Sequence, residues 1–158
     1  MDGRVININP VLRYILVNFI ICPTRSFSST KIYKEVWDSE TGSPLLHNTK
    51  ELAKKVNSKL PDYDVHFAMR YQNPSIEKVI DDILRKNPDE LIILPLFPHY
   101  AAATTGSVYE EVSRILSKRW VVPKIKFINQ FYDNDKFIDA WVDTVSYTHL
   151  RAHETEAD

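Results

Sequence analysis

Leu91-Ile92-Ile93-Leu94-Pro95-Leu96-Phe97-Pro98-His99-Tyr100-Ala101-Ala102-Ala103-Thr104-Thr105-Gly106-Ser107 is the stretch whose reading decides the fold. Its first four residues are a continuous apolar run, the pattern of a strand buried on both faces of a parallel sheet. Pro95 and Pro98 end that strand, because proline has no amide hydrogen to give to a ladder. His99 and Tyr100 follow just beyond the strand's carboxyl end, where open α/β sheets bind ligands. Thr104, Thr105, Gly106 and Ser107 start the next helix, whose first amide hydrogens lack intrahelical partners and attract acceptors. A strand, a polar loop and a helix start in this order make a ligand-binding edge. The residues alone are also those of an ordinary βα connection, and taken alone they favour that plainer reading.

Working outward, Asn73-Pro74-Ser75 opens a helix upstream. Ile76, Val79, Ile80, Ile83 and Leu84 fall at i, i+3, i+4, i+7 and i+8 along it, and Asn87-Pro88-Asp89 ends it. Residues 65–69 read as a strand, with Arg70 and Tyr71 in the loop after it. Downstream, Val108, Val112, Ile115 and Leu116 mark an amphipathic helix, and residues 124–129 a further strand. Asp133-Asn134 caps a last helix with Phe137, Ile138, Trp141 and Val142 facing inward. Nearer the start, Ser43-Pro44 is a cap-then-proline signal for a helix whose apolar face is Leu45, Leu52, Ala53, Val56 and Leu60. Residues 38–42 are a polar turn with glycine. Asn9-Pro10 caps an apolar run over 11–22, which is shorter than the ~20 residues a membrane span needs. Pro23 is expected to stop that helix, leaving 24–28 as a polar loop carrying Arg25 and 29–37 as a short helix. Strands alternating with helices of these lengths imply an α/β fold, a parallel sheet with helices on both faces. Three visible strands are few for such a sheet.

The chain has 158 residues, 44% of them hydrophobic and 26% charged, which suits one soluble globular domain rather than a disordered chain. A net charge of −1 gives no support to a nucleic-acid partner. Cys22 is the only cysteine, which excludes an internal disulfide and a Cys-rich metal site. No basic, apolar, small-residue succession of a cleavable signal opens the chain. Several side chains could serve a ligand. Arg25 can pair bidentately with a carboxylate, though a surface arginine is the plainer reading. Ser43 is a good helix cap. Arg70 and Tyr71 stand at a strand's carboxyl end, where a salt bridge and core packing are the ordinary alternatives. His99 offers a neutral imidazole, a common metal ligand, although one lone histidine is more often structural. The run over 11–22 is either a buried core helix, a greasy lip over an apolar ligand, or a shallow membrane contact.

Leu94 to Ser107 resembles the ferrochelatase signature, in which Leu-Pro-Leu-Phe-Pro-Gln-Tyr precedes small residues and Thr-Thr-Gly-Ser; His99 stands where glutamine is common. Asp2-Gly3-Arg4-Val5-Ile6 followed by Leu12-Arg13 looks like the start of the family's lip. Phe67-Ala68-Met69-Arg70-Tyr71 resembles its Arg-Tyr strand end. The resemblance covers most of 1–144. It implies a Rossmann-like or flavodoxin-like chelatase half, with 1–28 as the porphyrin lip region and Leu12, Ile15, Leu16 and Phe19 as lip residues. It implies porphyrin contact by Arg25, Ser43, Arg70, Tyr71 and Tyr100, with His99 the one candidate for metal. The implied enzyme is a lyase that inserts ferrous iron into protoporphyrin or coproporphyrin to form haem, cytoplasmic and with a peripheral membrane contact. Iron is its substrate. No resident cofactor is implied, and one cysteine cannot hold a four-cysteine iron–sulfur cluster. The family's base lies in a second domain to which nothing here corresponds, so no catalytic residue is expected in this chain. Nor does the family's opening strand with its Gly-Thr-Pro or Gly-Ser-Pro loop have a counterpart. The chain therefore reads as a fragment of a first domain, inactive alone. The alternatives are half of a cobalt or sirohydrochlorin chelatase and a non-catalytic, anion-binding α/β half-domain. Residues 145–158 read as a non-native tail, the translation of a sequencing adapter, in which His149 and His153 share a face without a third metal ligand.

Overall fold

The computed structural model describes residues 3–154, with side chains described to residue 147. Asn9 caps α1 (Pro10–Ile15), its Oδ1 accepting from the Val11 amide at 2.9 Å. The helix does not stop at Pro23. It widens into a π turn over Leu16–Ile21 and runs on as α2 (Cys22–Val36). An interior proline gives no amide hydrogen, and its ring crowds the carbonyl four residues back. The π turn relieves this, since the Cys22 amide reaches five residues back to the Val17 carbonyl. The expected loop over 24–28 is therefore helical, and Arg25 lies on a helix.

Asp38 and Gly42 exchange backbone hydrogen bonds, each 3.0 Å, across a tight turn in which Gly42 has φ +76°. A glycine suits that left-handed position. The Asp38 carboxylate accepts the Thr41 and Glu40 amides, the Thr41 bond above all holding its pKa below the ordinary value. The turn delivers Ser43 as the cap of α3 (Pro44–Lys59). Ser75 caps α4 (Ile76–Leu84), β1 (Glu90–Ile93) follows, and Thr104 precedes α5 (Thr105–Leu116). Then come β2 (Lys124–Phe127) and α6 (Asp135–Glu154).

β1 and β2 pair in parallel, with Glu90 opposite Lys124 and Ile93 opposite Phe127. The fold is thus α/β, rich in helix, with a small parallel sheet. The expected strand over 65–69 is extended but belongs to no ladder. Its Val65 amide bonds to the Asn57 side chain at 3.1 Å, and Met69 makes one isolated bridge with Ser75. Extended backbone becomes a strand only when a neighbour takes its amides and carbonyls. Among the described residues no segment does so here.

The core is one cluster. Ile76 and Ile80 of α4 meet Val112 and Ile115 of α5, with Leu84, Ile93, Val108 and Leu116 packed against them. These are the positions that the 3.6-residue period marks. Leu91 of β1 is buried, whereas Ile92 and Ile93 are only half-buried, so the strand is less enclosed than its apolar run suggests. Ile138, Trp141 and Val142 of α6 do not face inward. They stand exposed, and with Phe137 and Val145 they line a shallow apolar groove.

Candidate functional site

The carboxyl ends of β1 and β2 leave the sheet side by side. The Ile128 amide bonds to the Ile93 carbonyl at 2.9 Å, and the Phe131 amide to the Pro98 carbonyl at 2.9 Å. The chain after β1 then folds back on the start of α5, where the Gly106 amide reaches the Ala101 carbonyl at 3.0 Å. At this helix start the loop after residues 65–69 meets the loop after β1. Arg70 Nε donates to Ser107 Oγ at 2.9 Å, and the Tyr71 hydroxyl lies 3.4 Å from the same oxygen. The Arg70 guanidinium lies over the Tyr71 ring, 4.8 Å from its centroid. Ser107 is 1% exposed and serves as the fixed point, while Tyr71 is exposed.

Gly106 makes the packing possible. A Cβ there would come within 3.0 Å of the Tyr100 hydroxyl and 3.1 Å of Arg4 Nη1. Tyr100 and Arg4 thus close on the helix start through the space a side chain would fill. Arg4 is held by an ion pair with Glu110, one turn along α5 from Ser107. Two guanidinium groups beside a helix N-terminus make an electropositive rim suited to a carboxylate, partly offset by Glu110. The Thr105 hydroxyl is buried beneath it with no hydrogen-bond partner among the described residues.

Of Arg70, Tyr71, His99, Tyr100 and Ser107, which as residues at strand ends and the loops after them are expected on one rim, four converge on this helix start and His99 does not. His99 instead stacks on Tyr132, ring centroids 4.7 Å apart and planes 18° from parallel. Among the described residues no three His, Cys, Asp or Glu side chains gather as a metal site. Arg25 is exposed on α2, and Ser43 caps α3 with its Oγ accepting from the Leu46 amide at 3.5 Å. Neither is tied to the Arg70–Ser107 pair by a hydrogen bond or ion pair among the described residues. Leu12, Ile15 and Phe19 stand exposed and Leu16 half-buried. Arg4 was not singled out in the sequence, because its partner lies 106 residues away. Its one visible sign is the run Asp2-Gly3-Arg4 beside the lip.

The family comparison decides which ligand edge this is. A ferrochelatase family profile matches residues 1–158. The chain belongs to the ferrochelatase family. The ferrochelatase of Francisella tularensis subsp. novicida (strain U112) is 46% identical over 159 aligned residues, 99% of this chain and 47% of the relative. That of subsp. tularensis (strain WY96-3418) has the same identity and coverage, and that of subsp. holarctica (strain OSU18) is 45% identical over the same span. The chain thus spans about half the length of the curated ferrochelatases it matches. Its parallel sheet and helices are those of a chelatase-like half-domain.

Proposed function

We propose that the whole protein inserts ferrous iron into a porphyrin, and that this chain supplies one wall of the porphyrin site. The observation that carries the reading is the convergence of Arg70, Tyr71, Tyr100 and Ser107 on the start of α5. A porphyrin is a flat apolar disc with carboxylate arms. Tyr71 and Tyr100 offer aromatic surface to the disc, and the Arg70 guanidinium, braced by Ser107, offers a partner to an arm. The exposed stripe of Leu12, Ile15 and Phe19, with Leu16 beside it, is the lip that covers the ring edge and touches a membrane surface from outside. Among the described residues no helix is long and apolar enough to cross one. We place the protein in the cytoplasm, with Arg25 and Ser43 as further porphyrin contacts and His99 beside the route of the metal. Residues 1–144 are the native part of the half-domain and 145–158 its foreign tail.

Metallation exchanges two pyrrole protons for the iron ion, so a base must stand over the ring. We assign that base to no residue of this chain. The chain binds and orients, and its electropositive rim holds the carboxylates away from the metal path. Protoporphyrin and coproporphyrin both fit this chemistry.

Absorbance titration of the chain with protoporphyrin, coproporphyrin and sirohydrochlorin tests the reading. Binding of either of the first two, weakened about tenfold by Arg70→Ala as expected for a charge-assisted bond, supports it. Preference for sirohydrochlorin would point to a chelatase of another metal. Binding of inorganic phosphate, measured by calorimetry, with none of the three tetrapyrroles bound would leave an anion-binding half-domain.

A further inference from the structure

The loop from α5 to β2 carries the most exposed large apolar residue of the described chain, Trp120. Trp120 is fully exposed at 102%, Val121 is 84% exposed, and Val122 is nearly half exposed. Three consecutive apolar residues at a loop tip, one of them an indole in full contact with water, need a partner to be favourable. The charges around them indicate which. From 112 to 132 the chain holds Arg114, Lys118, Arg119, Lys124 and Lys126 and no acidic residue. Arg114, Arg119 and Lys124 pair with Glu111, Asp81 and Glu90 from elsewhere. Among the described residues no ion pair engages Lys118 or Lys126, and both are exposed.

We propose that residues 118–126 are a membrane-inserting tip: Trp120 and Val121 enter the headgroup layer of an anionic lipid surface, and Lys118 and Lys126 bind its charges. Indole favours the headgroup level, where its ring is apolar and its N–H stays wet. Lysines beside it add electrostatic attraction to anionic lipid. A protein partner fits less well. Three residues offer far less than the roughly 800 Å² per side that a stable interface buries. The tip is also separate from the porphyrin wall. It follows Leu116, the last residue of α5, nine residues and about 14 Å along the helix from Ser107. It is therefore a contact apart from the Ser107 rim, and it does not rest on the function proposed above.

The chain has three tryptophans, so Trp37→Phe with Trp141→Phe leaves Trp120 as sole reporter. With vesicles of phosphatidylcholine and phosphatidylglycerol its emission should move to the blue, and salt should reverse the move. With phosphatidylcholine alone it should stay. Trp120→Ala should weaken co-sedimentation with the anionic vesicles about tenfold, from loss of a buried aromatic. Lys118→Glu should weaken it by a similar factor. Leu12→Ser with Phe19→Ser should leave the Trp120 shift in place. An absent shift, or co-sedimentation indifferent to Trp120→Ala, overturns the proposal. So does a lipid-free, Trp120-dependent self-association in sedimentation velocity, which would make the tip an interface between copies.

Discussion

Urea unfolding of this chain should be shallow. A compact monomer of 18.4 kDa exposes about 8,200 Å². This chain exposes 12656 Å². The extended chain would expose about 26,700 Å². Unfolding therefore uncovers roughly 14,000 Å² here against roughly 18,500 Å² for a compact domain of the same mass. The denaturant slope scales with that difference, so it should be about three quarters of the compact value. The structural causes are visible: an exposed helix over α1 and α2, an uncovered groove on α6, and an extended segment at 65–69 without a ladder. The assay is circular dichroism against urea, with near-ultraviolet signals read in parallel. Far-ultraviolet loss should be broad and should not coincide with loss of aromatic signals. A single sharp transition with the full slope, coincident in both probes, would refute the reasoning and show that these surfaces pack on one another in solution.

Ile115→Ala should remove roughly 2–5 kcal/mol from the α4–α5 cluster, read as lost hydrogen-exchange protection in α4; unchanged protection there would show that the cluster does not hold the helix. Gly106→Ala should leave helix content unchanged or slightly higher, yet weaken porphyrin binding several-fold by displacing the Tyr100 hydroxyl; equal affinity in the absorbance titration would remove Tyr100 from the site. The Asp64 carboxylate is held below its ordinary pKa, first by Lys86 at 2.5 Å and then by His66 at 3.0 Å. Because the folded value is depressed, the link should persist from neutral pH down to about 3.9, the unfolded value, and be lost as pH falls further. A carboxyl-carbon titration by NMR that placed Asp64 at or above the ordinary value would contradict this.

Local order carried much of the fold into the sequence. The caps at Asn9, Ser43 and Ser75 and the apolar period of α4 and α5 act within a turn or two, and the structure has them where the residues put them. The rule that loops after parallel strands share a rim put His99 together with Arg70, Tyr71, Tyr100 and Ser107; the other four meet, although residues 65–69 join no ladder, and His99 stacks on Tyr132 instead. What could not be read depends on partners distant in the chain. Arg4 reaches the site only because tertiary folding brings Glu110 beside it. Residues 65–69 have strand character but need a ladder that their own composition cannot supply. The pattern of α6 shows that one face is apolar, and nothing in a pattern says what covers it. Pro23 misled for another reason: a helix-breaking signal assumes α geometry, and the turn before it is not α.

That π turn has a consequence for comparing this chain with its kin. Leu16–Ile21 holds its hydrogen bonds one residue longer than the α pieces on either side. One added residue rotates everything beyond it by about 100° around the helix axis. A relative with plain α geometry here would present the same greasy stripe only with one residue fewer, and the alignment gap would fall inside 16–21. Deleting one residue from this segment together with Pro23→Ala should therefore preserve the helix and keep Leu12 in phase with α2, whereas either change alone would leave the two halves out of step or strained.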